Sequence, residues 1–149
     1  MKTIKGFLSP LLAALLLFSV SSTLVTTASA DGAKHKLVIQ VSTDDPRTQK
    51  IAMNNAVNLQ KLYGIDNVDI EIVAYGPGLG MMTKKSQYAD RVKSLAMQDI
   101  VFTACMNTMN KIKAKKGHLP ALTEGVTTTK AGVSRIMELQ EEGYAYVRP

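Results

Sequence analysis

The chain has no tryptophan and few other aromatic residues, three Phe and five Tyr in 149 residues. A carbohydrate site built on stacked rings is therefore not expected. It has one cysteine, Cys105, which rules out an internal disulfide. It has two histidines, and nowhere do His, Cys, Asp and Glu recur at metal-ligand spacing, so neither a metal centre nor a cofactor is expected. The glycines of Gly76-Pro77-Gly78-Leu79-Gly80 lack the phosphate-loop spacing and the dinucleotide fingerprint. No nucleophile-elbow pattern occurs. Repeats, long linkers and extended charge blocks are missing; the densest run is Lys111, Lys113, Lys115 and Lys116. The remaining charge is dispersed, and nucleic acid is not an expected partner.

What is present begins with an export leader. Lys2 and Lys5 precede an apolar stretch, Phe7–Val20, broken only by Ser9, Pro10 and Ser19, and a polar run ends in Ala28-Ser29-Ala30. A basic start, an apolar centre and a small-x-small end form a signal peptide, with cleavage expected after Ala30. The apolar stretch is too short and too interrupted to span a bilayer comfortably. We therefore expect residues 1–30 to be removed, residues 31–149 to form one domain, and that domain to be periplasmic or secreted, without stable membrane insertion. Without Lys2 and Lys5 the 18 basic side chains fall to 16 against 12 acidic ones, a net of +4. A single thiol in an oxidising compartment must be buried, paired with another chain, or used.

The domain alternates strand and helix signals. Leu37–Ser42 is nearly continuous in apolar residues, as a strand covered on both faces should be. Thr43-Asp44-Asp45-Pro46 supplies a cap and a first-turn proline for a helix over Arg47–Tyr63, with Ala52, Ala56, Leu59 and Tyr63 on one stripe and Gly64 as its stop. Val68–Tyr75 is a second strand, and its early alternation through Asp69 and Glu71 predicts a position at or near a sheet edge. Gly76 and Gly78 follow at its tip, where glycine permits close backbone approach to a ligand or another chain; a tight turn is the plainer reading. A helix is expected over Gln87–Met97, a short strand at Val126–Thr128, a helix over Ala131–Glu142 and a last strand at Tyr144–Val147. The βαβαβαβαβ order predicts a three-layer α/β/α sandwich with a mainly parallel five-stranded sheet.

The chain is organised around Ile100–Cys105, an apolar run ending in the thiol, followed by a helical stretch that ends at Gly117. Cys105 then sits at the C-terminal tip of a strand, where ligands and reactive groups collect in parallel sheets. A helix start beside it would stabilise the thiolate. The alternative is that Cys105 is a small buried hydrophobe. Met106 and Met109 with Cys105 could hold soft copper(I), though their spacing is also that of an ordinary helix core. His118 is expected about 16 Å from Cys105 along the intervening helix, too far to act as its base within one subunit. Asp44, at the tip of the first strand, is placed beside the third strand in such a sheet, to cap a helix or orient a donor.

These segments together resemble the DsrE/DsrF-like family of sulfur oxidation and sulfur relay. The resemblance rests on Leu37–Ser42 with Asn54-Asn55-Ala56-Val57-Asn58, on Val68–Gly76, on Phe102-Thr103-Ala104-Cys105-Met106-Asn107-Thr108, and on the tail from Ala131-Gly132-Val133 through Glu138-Leu139-Gln140-Glu141-Glu142-Gly143-Tyr144 to Pro149. It implies the same α/β layout, a homo-oligomer (trimer or hexamer), and a persulfide-carrying cysteine, which here is Cys105. Asn107 and Thr108 accompany that cysteine as expected pocket residues. The chain departs from the relay members in its leader and in lacking a second cysteine. The expected function is an exported sulfur carrier or sulfurtransferase-like protein, with a donor or acceptor protein or a small thiol as partner. The alternative is a non-catalytic oligomeric binding or assembly module with a small-ligand cleft at the strand tips.

Overall fold

The computed structural model describes residues 34–149; the expected leader lies outside the described residues. The strands are β1 (His35–Val41), β2 (Val68–Ala74), β3 (Ile100–Cys105), β4 (Val126–Thr129) and β5 (Ala145–Val147). The helices are α1 (Pro46–Tyr63), α2 (Ala89–Ala96), α3 (Met106–Lys116) and α4 (Gly132–Glu141). A 3-10 turn, Gly76–Met82, leaves β2. The five strands form one sheet in the order β4-β3-β2-β1-β5, and every neighbouring pair runs parallel. The expected sandwich is therefore the architecture found.

The connections from β1 to β4 all step the same way across the sheet, so right-handed crossovers put α1, α2 and α3 on one face. The last connection steps back past β1 and puts α4 on the other. The strand pleat sorts the side chains to match. Ile39, Ile72, Ile100, Phe102 and Ala104 join Ala52, Met53, Leu79, Val92 and Met109 in the main core. Val38 and Val73 point the other way and pack on Ile136 and Leu139 of α4.

The second face is thinly covered and carries polar groups, which corrects one expectation. β2 is not near an edge but central, between β1 and β3. Glu71 is 3% exposed rather than solvated. Its carboxylate accepts from the Thr103 hydroxyl at 2.6 Å and from Arg135 Nε and NH2 at 3.1 and 2.8 Å. A buried carboxylate is tolerated when its oxygens are satisfied and a cation is beside it. Gln40 is satisfied likewise, accepting from the Tyr146 hydroxyl at 2.7 Å.

Candidate functional site

Three features bring the site together. β3 ends at Cys105 and turns at once into α3, with Cys105 as the extended N-cap residue. β4 lies alongside, with Thr129 paired to Cys105. Beyond it the chain enters α4, whose first residue is Gly132. Because α3 and α4 leave toward opposite faces, β3 and β4 enclose a topological switch point, the crevice where parallel α/β sheets hold their ligands. Cys105 lies at that switch point, between two helix starts.

Cys105 is 4% exposed. Ala104 before it faces the main core, so the thiol faces the α4 side of the sheet. The Gly132 N–H donates to its Sγ at 3.3 Å. The backbone N–H groups of Thr108 and Asn107 and the Thr108 hydroxyl lie near enough to favour its anionic form. The Asn107 N–H also meets the Lys130 carbonyl at 3.3 Å, which ties the two helix starts together. Burial alone raises the thiol's pKa. The Thr108 and Gly132 N–H groups, then the Thr108 hydroxyl and the Asn107 N–H, outweigh it and hold the thiol below its ordinary value.

Thr108 also accepts the Gly76 N–H at 2.9 Å, linking the tip of β2 to the thiol's surroundings. Gly76 has φ +54°, a left-handed conformation suited to glycine. Gly78 serves close packing within the chain: a Cβ there would lie 2.3 Å from the Val41 carbonyl oxygen. Asn107 is exposed, so its share in the site is its backbone. Asp44 is exposed too, and β2 stands between β1 and β3, which corrects its expected place beside the third strand. The α1 cap is the neighbouring Asp45, which accepts from the Thr48 N–H and hydroxyl at 2.7 Å each. Met106 and Met109 pack with the main core, away from the face the thiol occupies. His118 lies past the far end of α3 with its Nδ1 3.0 Å from the Leu119 carbonyl. Among the described residues no group of three or more His, Cys, Asp or Glu is placed to hold a metal.

Residues 35–149 match the DsrE/DsrF-like family along their whole length. The chain belongs to this family. Among solved structures it is similar to a protein of unknown function, MTH1491 from Methanobacterium thermoautotrophicum, at 32% identity and a TM-score of 0.69, over 78% of this chain and 100% of that one. It also resembles the ychN protein from E. coli, at 11% identity and a TM-score of 0.61, over 78% of this chain and 99% of that one. The second likeness is one of fold alone. No curated protein matches the sequence. This is thus a DsrE/DsrF-like domain, of a family associated with sulfur relay, with a single and buried cysteine.

In this DsrE/DsrF-like chain the structure places Thr108, singled out in the sequence, near the thiol, and brings to it Gly132 and Tyr75, which the sequence pattern did not single out. A Cβ on Gly132 would come within 3.0 Å of the Tyr75 ring and 3.4 Å of Cys105 Cβ. The signal was a glycine at the first position of a helix with no side-chain cap. Thr129, opposite Cys105, lies one residue past the strand expected at Val126–Thr128.

Proposed function

We propose that this protein is an exported sulfur carrier that holds a persulfide on Cys105. The observation that carries the reading is the sulfur's surroundings: the Gly132 N–H of one helix start donates to it at 3.3 Å, and the start of α3 on its other side favours its anionic form. Such donors favour an anionic sulfur, as thiolate before loading and as persulfide after it. In the loading step the Cys105 thiolate attacks the terminal sulfur of a sulfane donor R–S–SH. The donor's S–S bond breaks, R–S⁻ leaves with the electron pair, and Cys105–S–SH remains. An acceptor thiolate then takes the outer sulfur and returns the Cys105 thiolate. Neither step needs a separate oxidant or reductant.

The sulfur is covered, so loading requires the Lys130–Gly132 segment to move aside. That segment is held to α3 by the Asn107 N–H to Lys130 carbonyl bond. Export, with loss of residues 1–30, and a trimeric or hexameric assembly belong to the same proposal. Assembly is supported by apolar side chains left on the α4 side: Val133 and Met137 are 55% and 57% exposed. A small thiol or a sulfur-donating protein outside the cytoplasm fits as partner.

The test is cyanide-labile sulfur. After incubation with glutathione persulfide and desalting, the protein should release about one thiocyanate per chain on cyanide treatment, from one reactive thiolate. Cys105→Ser should release none. Equal release from both proteins would place the sulfur elsewhere and end the proposal.

A further inference from the structure

We infer that the cavity between the Gly76–Met82 turn, α3 and the 117–122 connection binds a small organic anion with an apolar body, of the medium-chain or aryl carboxylate class. Cys105 does not line this cavity, and the inference does not rest on the thiol's chemistry. The cavity is about 370 Å³, within the range of small-molecule sites. Leu79, Ile112, Leu119, Pro120 and Ala121 give it an apolar wall, and Lys85, Lys116 and His118 stand at it. A neighbouring cavity of about 310 Å³ shares Gly80 and Ile112 with it, adds Lys111 and Lys115, and at its far side reaches Gly76 and Thr108. Neither cavity has an Asp or Glu in its wall. Among the described residues none of these four lysines forms an ion pair. A different surface hollow, by contrast, brings Lys84 and Lys93 together with Asp90 and Glu124. Single-sign charge around an apolar wall selects an anion with an apolar body over a neutral or cationic one.

Lysines in the last turn of α3 also complement the helix's negative end. That role does not account for Lys85, which comes from another segment, nor for Lys111, which lies before the last turn. The walls are fixed by the backbone. Gly117, at φ +80°, closes α3 with its N–H on the Lys113 carbonyl at 2.8 Å. The connection that follows is clamped to the exit of the Gly76–Met82 turn, by Lys84 N–H to the Ala121 carbonyl and Thr123 N–H to the Met82 carbonyl, each 2.9 Å. A site formed beforehand in this way has little ordering cost on binding.

The experiment is a ¹H–¹⁵N NMR titration of the purified protein with octanoate, octanamide and octylamine. Octanoate should give saturable shifts at the amides of Gly80, Ile112, Leu119 and Ala121, and both other ligands should bind at least about fivefold more weakly, because charge complementarity sets the selectivity. K85E/K116E should weaken octanoate by a similar factor, and Cys105→Ser should bind it as wild type does. The ligand series needs no variant, so a poorly folded double mutant does not decide the matter. Absence of saturable shifts, shifts confined to other residues, or equal binding of octanamide would overturn the inference.

Discussion

Replacing Thr108 by Val removes one hydroxyl and keeps the branched shape at the hinge of the site. That hydroxyl accepts the Gly76 N–H at 2.9 Å and favours the Cys105 thiolate. Losing it removes one of the groups that favour the thiolate over the thiol. The thiolate fraction at a fixed pH below the midpoint should therefore fall. Stability should fall by about 1 kcal/mol from the unpartnered, half-buried Gly76 N–H, the low end for such a loss. The assay is the ultraviolet thiolate absorbance of Cys105 across a pH titration, with Cys105→Ser as blank. Wild type should ionise below the ordinary value near 9.0, Thr108→Val higher than wild type, and Thr108→Ser close to wild type. A thiol that ionises at the same pH in wild type and in Thr108→Val would refute the assignment of Thr108 as a positioning residue. The same depression has a thermodynamic counterpart. The folded state releases the thiol proton before the unfolded chain does, so wild type should gain stability over Cys105→Ser as pH rises through the folded midpoint, hold the gain above the ordinary value, and lose it as pH falls. Urea unfolding at a series of pH values checks this sign.

Three further outcomes follow from the fold. Gly78→Ala should destabilise by about 3 kcal/mol or more, because its Cβ meets backbone that cannot swing away, while Gly80→Ala, with nothing within 4 Å of the new atom, should change little; parallel urea curves compare them. Arg135→Ala should cost about 3 kcal/mol by leaving the Glu71 carboxylate buried without its cation, and the added substitution Glu71→Gln should recover part of that loss in a double-mutant cycle. Asp45→Ala should lower stability at neutral pH, and the difference from wild type should shrink as pH falls through the depressed Asp45 value, read by thermal unfolding across the acid range.

The parts of the fold legible in the sequence were those set by local pattern. The apolar runs of β1 and β3, the cap and proline before α1, and the glycines after α1 and α3 placed the elements to within a few residues. Strand order is not a local property, and there the reading failed. Asp69 and Glu71 alternate with apolar residues as an edge strand does, yet β2 is central. Glu71 can be buried only because Arg135 returns to it from 64 residues further on. For the same reason Asp44 was set beside β3 when β2 lies between. The site divides along the same line. Cys105 and Thr108 are neighbours in sequence and were singled out together. Gly132 reaches the sulfur from 27 residues away, through the return of α4 to the opposite face. Gln49 and Gln60, 5% and 7% exposed, were not read as buried, because their partners are the Thr43 and Gln98 carbonyls rather than anything in the helical stripe.

The most direct test is the intact mass of native protein after incubation with a sulfane-sulfur donor, read before and after addition of excess thiol. The account predicts a species one sulfur atom heavier, located on Cys105, absent from Cys105→Ser and returned to the starting mass by the thiol. A thiol that stays unmodified in the native protein, and takes up sulfur only after unfolding in urea, would show Cys105 to be a sealed core residue and contradict the account.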